Sequence, residues 1–149
     1  MAVRDYTTRR SAIVNYLVTK LEEINGTGHF LSSVSDVSPR LKFWDEIEEF
    51  PAIHVNAGSE TREYLGAGEK FRYLTLTFRC YVNEDEPVEA LEKLMEDVET
   101  VLETNNPITY TDKLGAVQST IQTTILSIDT DEGVLDPLGI GEITVTVQY

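Results

Sequence analysis

Phe71-Arg72-Tyr73-Leu74-Thr75-Leu76-Thr77-Phe78-Arg79-Cys80-Tyr81-Val82 is the stretch on which the fold turns. Leu74, Leu76, Phe78, Cys80 and Val82 alternate with Tyr73, Thr75, Thr77, Arg79 and Tyr81, a period of two that sends successive side chains to opposite faces of a strand. One face is apolar and must be covered by other elements. Gly66-Ala67-Gly68 just before it reads as a hairpin tip, pairing this strand with one over about Glu60 to Leu65.

Working upstream, Ile13, Leu17, Leu21 and Ile24 recur at helical spacing with Val14 and Val18 beside them, which predicts a helix from about Thr7 to Asn25. Thr7 or Thr8 caps its start, and Asn25-Gly26 stops it. Arg9 and Arg10 fall in the first turn, where the helix dipole disfavours cations, so an acidic group is expected nearby. Phe30 to Val37 reads as a short strand, and Ala52-Ile53-His54-Val55 as another, with Gly58 marking a turn after it. Between these two, residues 38–50 are expected to form an extended loop or arm carrying Leu41, Phe43, Trp44 and Ile47; loops of this length are commonly contact segments.

Downstream, Pro87 suits a first helical position, and Leu91, Leu94, Met95, Val98, Val101 and Leu102 make the apolar stripe of a second helix ended by Asn105-Asn106-Pro107. Two strands follow, one alternating from Val117 to Leu126 and one from Ile143 to Tyr149. The link Thr130 to Gly139 has the Gly, Pro and Asp content of a surface loop. Helix, strands, helix, strands is the order of one α+β domain over residues 1–149, with both helices packed on one face of a mostly antiparallel sheet.

With 149 residues the chain is the size of one domain, and Lys+Arg 12 against Asp+Glu 26 leaves a net charge of −14. Recognition of nucleic acid is an unsuitable task for such a surface, because binders neutralise phosphates with clustered Lys and Arg. No apolar run approaches the ~18 residues of a membrane span, and Met1 to Asp5 lead into no signal-like stretch, so a cytosol-like compartment is expected. The imbalance is local: residues 1–82 hold 10 basic and 11 acidic side chains, whereas residues 83–149 hold only Lys93 and Lys113 against 15 acidic ones. Glu89, Glu92, Glu96, Glu99 and Glu103 lie along the second helix. That face is either a solvated surface or a wall that meets basic Arg4, Arg9 and Arg10 of a neighbouring copy, or lines a passage for DNA. The polar face of the sheet, with Tyr73, Arg79, Tyr81, Gln118, Thr120, Gln122, Thr124, Thr144, Thr146 and Gln148 on it, is short of the charges that usually guard solvated strands, so it is either a solvent face or a docking face.

Catalytic constellations are hard to assemble. His29 and His54 have no metal-type ligand at recognisable spacing and read as structural or surface histidines. Cys80, the lone cysteine, shares the apolar side of its strand and reads as an inert thiol. Gly66-Ala67-Gly68 and Gly139-Ile140-Gly141 lack the following helix of a phosphate loop. The acidic loop 129–136 offers Asp131 and Glu132 as candidate ligands for a divalent cation, without the spacing of a helix-loop-helix calcium site, and no cofactor is implied. A metal-dependent cytosolic enzyme built on that loop is the reading from a different functional class.

The order and spacing of these features resemble the tail terminator, or tail completion, proteins of long-tailed bacteriophages. The resemblance rests on the early helix with Arg10, Ile13, Leu17, Leu21 and Ile24 ending at Gly26, on Phe50-Pro51-Ala52-Ile53-His54-Val55 followed by Gly58-Ser59-Glu60, and on Leu74-Thr75-Leu76-Thr77-Phe78. It continues through Leu91-Glu92-Lys93-Leu94 and Val98-Glu99, Asp131-Glu132-Gly133, and the final strand from Gly141 to Tyr149. It implies a structural, non-enzymatic virion protein forming a hexameric ring that caps the tail tube, stops its polymerisation and offers the joining surface to the head-neck connector. The implied partners are other copies of the chain, the major tail tube protein and the connector, with DNA as a passenger that does not stick. Assembly would take place in the host cytoplasm, and the finished position would be the head-proximal end of the tail. The nearest alternative is a head-completion or neck protein of the same virion. Under this resemblance Arg4, Arg9, Arg10, Leu41, Phe43, Trp44, Tyr73, Arg79 and Tyr81 are candidate contacts with a neighbour or the tube, and the five glutamates of the second helix are candidates for a ring contact or channel lining.

Overall fold

A computed structural model describes residues 7–149, apart from the side chain of Trp44; the expected contact at Arg4 lies outside the described residues. The chain forms α1 (Arg9–Leu21), β1 (Asp36–Ser38), β2 (Ala52–Gly66), β3 (Glu69–Asn83), α2 (Pro87–Thr104), β4 (Thr109–Thr111), β5 (Val117–Ser119), β6 (Gln122–Thr130) and β7 (Leu138–Gln148). Five strands make one sheet in the order β1-β2-β3-β7-β6, antiparallel except for the β1–β2 pair, and β4 and β5 make a separate hairpin.

The alternation in β3 places the core as its sequence requires. Leu74, Leu76, Phe78, Cys80 and Val82 are buried with Ile143, Val145 and Val147 of β7 and Ile53 and Val55 of β2. Both helices cover this face: Ile13, Leu17 and Leu21 from α1, and Leu91, Leu94, Val98 and Val101 from α2. The α+β class with two helices on a mostly antiparallel sheet is therefore the observed one. Gly139 and Gly141 serve this packing. A Cβ at Gly141 would fall 2.6 Å from Met95 Sδ, and one at Gly139 would fall 2.8 Å from Val82 Cγ2 and 3.2 Å from the Pro87 carbonyl oxygen. Their bare backbone is what lets α2 lie close to β7.

Several boundaries differ from the sequence reading. α1 begins at Arg9, with the Thr8 hydroxyl accepting the Ser11 N–H at 3.1 Å, and ends at Leu21; Ile24 is buried just beyond it. Of Phe30 to Val37 only the end becomes strand, in β1, and it runs parallel to β2. Gly58 is not a turn: β2 is continuous, and Gly58 lies within a bulge between Ala57 and Glu60. The expected strand from Val117 to Leu126 is broken. Val117–Ser119 pairs with β4, Val117 is exposed, and the edge strand restarts at Gln122. Thr120, expected on the outward face, is buried and its hydroxyl accepts the Ile108 N–H at 2.8 Å. Tertiary demand outweighed alternation there, because residues 117–120 turn back to pair with residues 108–111.

Asp97 was invisible as a structural residue in the sequence. It is buried on the inner side of α2, and its carboxylate accepts the Leu31 N–H at 2.9 Å and the Ser32 N–H at 2.7 Å, tying the 28–33 loop to the helix.

Candidate functional site

The surfaces that set this chain apart lie at opposite ends of the sheet. At one end β3 leaves the shared sheet: Arg72 exchanges backbone hydrogen bonds with Tyr149 (2.7 and 2.8 Å), and beyond this pair only β2 and β3 face each other, up to the Gly66-Ala67-Gly68 turn. The φ angles of 90°, 50° and 81° along that turn are left-handed, which suits the glycines. Residues 63–71 thus form a two-stranded ribbon, and at about 3.4 Å per residue it projects roughly 14 Å past the core. The sequence marked the turn but not the projection.

Cations gather at the root of this ribbon. Arg9, Arg10, Arg62, Arg72, Lys113 and Tyr149 border an open cleft of about 260 Å³. The Arg72 guanidinium lies 5.4 Å from the centre of the Tyr149 ring, and the Tyr149 and Tyr110 rings stand nearly perpendicular with centres 6.3 Å apart. The Tyr149 hydroxyl donates to Glu60, and Arg62 pairs with the same carboxylate at 2.9 Å. Burial pushes the Glu60 carboxyl up, but Tyr149, Arg62 and Arg10 together hold it below the ordinary carboxylate range. Burial and then the Glu60 contact push the Tyr149 phenol well up. The acidic group expected beside the first-turn arginines is therefore present, and Asp112 is a second one. Its carboxyl is held low by the Gln118 amide first, then by backbone N–H groups, with a smaller pull from Arg9. Arg10 is engaged within the subunit, donating to the Gly58 carbonyl at the β2 bulge.

The opposite end is acidic. The Glu84 N–H donates to the Pro137 carbonyl at 3.1 Å, bringing the 131–137 loop against the start of α2. From this end α2 carries its acids back along the sheet, with Asn106 just past the helix bonded to Thr123 beside Val147: Glu89, Glu92, Glu96 and Glu103 are exposed and Glu99 is half-buried, and Lys93 pairs with Glu89 at 3.3 Å. The candidate metal residues have local work: Asp131 accepts the Leu135 N–H at 3.2 Å and the Ile140 N–H at 3.4 Å, and Glu132 is exposed at the turn with a φ of 57°. Among the described residues no group of three or more potential ligands converges. Among the same residues no helix is long and apolar enough to cross a membrane.

The outward sheet face is two surfaces. Tyr73, Thr75, Thr77, Thr144, Thr146 and Gln148 are half-buried and open; the Tyr73 hydroxyl donates to Glu63 at 3.2 Å, and Arg79 pairs with Glu142 at 3.1 Å. Tyr81 does not belong to this open part. The 39–51 segment folds over it, and Tyr81 is buried with Ile47 and Ala52 against Phe50 and Ile140. Its ring is covered by its own chain, which leaves the expected partner contact almost no surface at this residue. Leu41 is half-buried, Phe43 is exposed, and Trp44 opens a short 3-10 turn through Glu46. Beneath the same segment His54 is fully buried. Its Nε2 is 3.6 Å from Asp36 Oδ2, too far for a hydrogen bond, and neither ring nitrogen has a partner. Cys80 is buried and its thiol is pushed up to about 12 by that burial, which suits an inert core residue.

Three comparisons bear on this geometry. Residues 7–149 match the family described as Bacteriophage Tail Tube Terminator Protein. The chain is 34% identical over 148 residues to the tail tube terminator protein p142 of Escherichia phage T5, covering 96% of this chain and 92% of that one. Its fold is similar to that of a chain in the virion of a native gene transfer agent particle, with a TM-score of 0.55 over 95% of this chain and 93% of the other at 8% identity.

Proposed function

This chain belongs to the bacteriophage tail tube terminator family, and on that premise we propose that it closes into a hexameric ring on the last ring of the tail tube. The ring stops further polymerisation of the tube protein and presents a joining surface to the head-neck connector. It occupies the head-proximal end of the tail in the virion, having been assembled in the host cytoplasm.

The observation that carries this reading is that each subunit bears a basic cleft at one end of the sheet and a separate acidic face along α2 and the 131–137 loop. A closed ring is built from a heterologous contact, in which two different patches of each subunit meet. The basic cleft of Arg9, Arg62, Arg72 and Lys113 and the acidic α2 face are two such patches on one subunit. Glutamates of α2 left facing a channel would repel phosphates and let DNA pass without sticking. The open polar sheet face, with its side chains already half-buried, suits packing on the tube.

Sedimentation velocity over a range of protein and salt concentrations, with and without purified tail tube protein, tests the ring. The expected result is a ring-sized species that weakens with salt and is lost in Arg9→Glu with Lys113→Glu. A wild-type chain that stays monomeric under every condition, tube protein included, overturns the reading.

A further inference from the structure

We propose that the β2–β3 ribbon is a plug: its tip seats in an apolar, acid-rimmed patch formed by the 131–137 loop and the start of α2 on the next copy of the chain. This inference rests on the ring proposed above and specifies the contact that closes it.

The tip carries exposed apolar side chains, Tyr64 at 69% and Leu65 at 52%. On a strand pair with no core beneath it these side chains have nothing of their own chain to cover them. Tyr64 pairs across the ribbon with Lys70, whose Nζ is 5.8 Å from the Tyr64 ring centre, and Arg62 pairs across with Arg72; the ribbon's acids are Glu63, which accepts from the Tyr73 hydroxyl, and Glu69, opposite Gly66 at the turn. At the far end of the sheet, Val88 at 54%, Val134 at 82% and Leu135 at 45% are exposed. The loop lies against the helix there, since a Cβ on Gly133 would fall 3.1 Å from Val88 Cγ2. Acidic side chains rim this second patch: Glu84, Glu89, Asp131, Glu132 and Asp136. An exposed apolar patch with a polar rim is the usual mark of a protein contact.

The Tyr64 side of the tip, with Arg62, Lys70 and Arg72, complements this patch in both respects, apolar against apolar and basic against acidic. They cannot meet within one subunit. From Arg72 to Asn83 β3 separates the ribbon's root from the loop by eleven residue steps, about 37 Å at 3.4 Å per step. A second copy is therefore the occupant that the charges select. Because tip and patch lie at opposite ends of the same strands, a closed ring made this way has its strands running around the circumference.

Cysteine cross-linking tests the contact, with Cys80 silent because it is buried. Leu65→Cys and Val134→Cys are placed in one chain, or in two separate chains that are then mixed, and treated with a short bismaleimide under conditions where sedimentation is also measured. The expected result is a covalent ladder from the doubly substituted chain and dimers alone from the mixture, with no 65–65 or 134–134 product. Tyr64→Ser with Leu65→Ser, checked for an unchanged melting profile, is expected to move the protein from ring to monomer. If the wild type assembles but position 65 does not link to 134, the plug is overturned and the ring stands. If nothing assembles and nothing links, both are overturned.

Discussion

The hydroxyl of Tyr149 donates to the carboxylate of Glu60, so the residue just past β7 is tied across β3 to β2 at the root of the projecting ribbon. Arg62 holds the same carboxylate from the other side at 2.9 Å. Tyr149→Phe keeps the ring and its packing but removes the donor. Hydrogen bonds to a charged group contribute about 1.5–3 kcal/mol, so urea unfolding at neutral pH is expected to show a loss in that range. The pH dependence follows from the lowered carboxyl of Glu60. Its contribution is present above the ordinary carboxylate range and is lost as pH falls below that range through the lowered value of the folded protein, so the variant should show a shallower acid limb than the wild type. Equal limbs would show that Tyr149 does not hold Glu60 in its charged form.

His54 predicts a second limb nearer neutrality. Burial holds the imidazole below its ordinary value of 6.5; Asp36 opposes this, while Lys42 and Arg79 add to it. The folded ring stays neutral where the unfolded one takes a proton. Stability is then complete above about 6.5 and falls as pH drops below it, by at most about 1.4 kcal/mol per pH unit for one proton. His54→Phe, packed against the tilted Tyr81 ring at 5.1 Å, is expected to flatten the dependence between pH 7 and pH 5. An unchanged slope in that variant rules out His54 as its source.

Gly139 and Gly141 should tolerate alanine unequally. At Gly141 the close atom is the sulfur of Met95, the far end of a flexible side chain that can move aside. At Gly139 the new methyl meets Val82 and the fixed carbonyl of Pro87. Overpacking costs about 1–3 kcal/mol, with Gly139→Ala expected at the upper end and Gly141→Ala at the lower. Thermal unfolding of the two variants side by side checks the order.

Asp97→Ala removes the acceptor shared by the Leu31 and Ser32 N–H groups. Each donor left without a partner costs about 1–3 kcal/mol to the extent that water cannot reach it. Amide exchange at residues 31 and 32 should accelerate while exchange in β3 does not, and Asp97→Asn, which keeps one acceptor oxygen, should fall between. Uniform acceleration throughout the chain would mean that the residue supports global stability and not this loop.

The core strand, both helices and the hairpin turn were legible because each depends on a local pattern. Leu74 to Val82 alternate whatever lies around them, Pro87 and Asn105-Asn106 bound α2 by their own backbone preferences, and the lone Cys80 falls on the apolar side by parity alone. The family resemblance was legible for the same reason, since it rests on the order of such elements. Less was legible where a residue answers to a distant one. Tyr81 obeys the alternation and still is buried, because Ile47 and Phe50 fold back over it. Asp97 looked like one more acid on a charged helix, and only the return of the 28–33 loop makes it an anchor.

By itself, then, the sequence determined the period of each element, the apolar face each must hide and the excess of acid in its second half, since these are properties of neighbours along the chain. Tertiary structure alone decided that Arg9, Arg62, Arg72 and Lys113, drawn from four places in the chain, meet at one end of the sheet. It also decided that the ribbon outruns the core and that the acid-rimmed patch lies at the other end. Pairing register and the length of β7 set those positions, and neither is a local property.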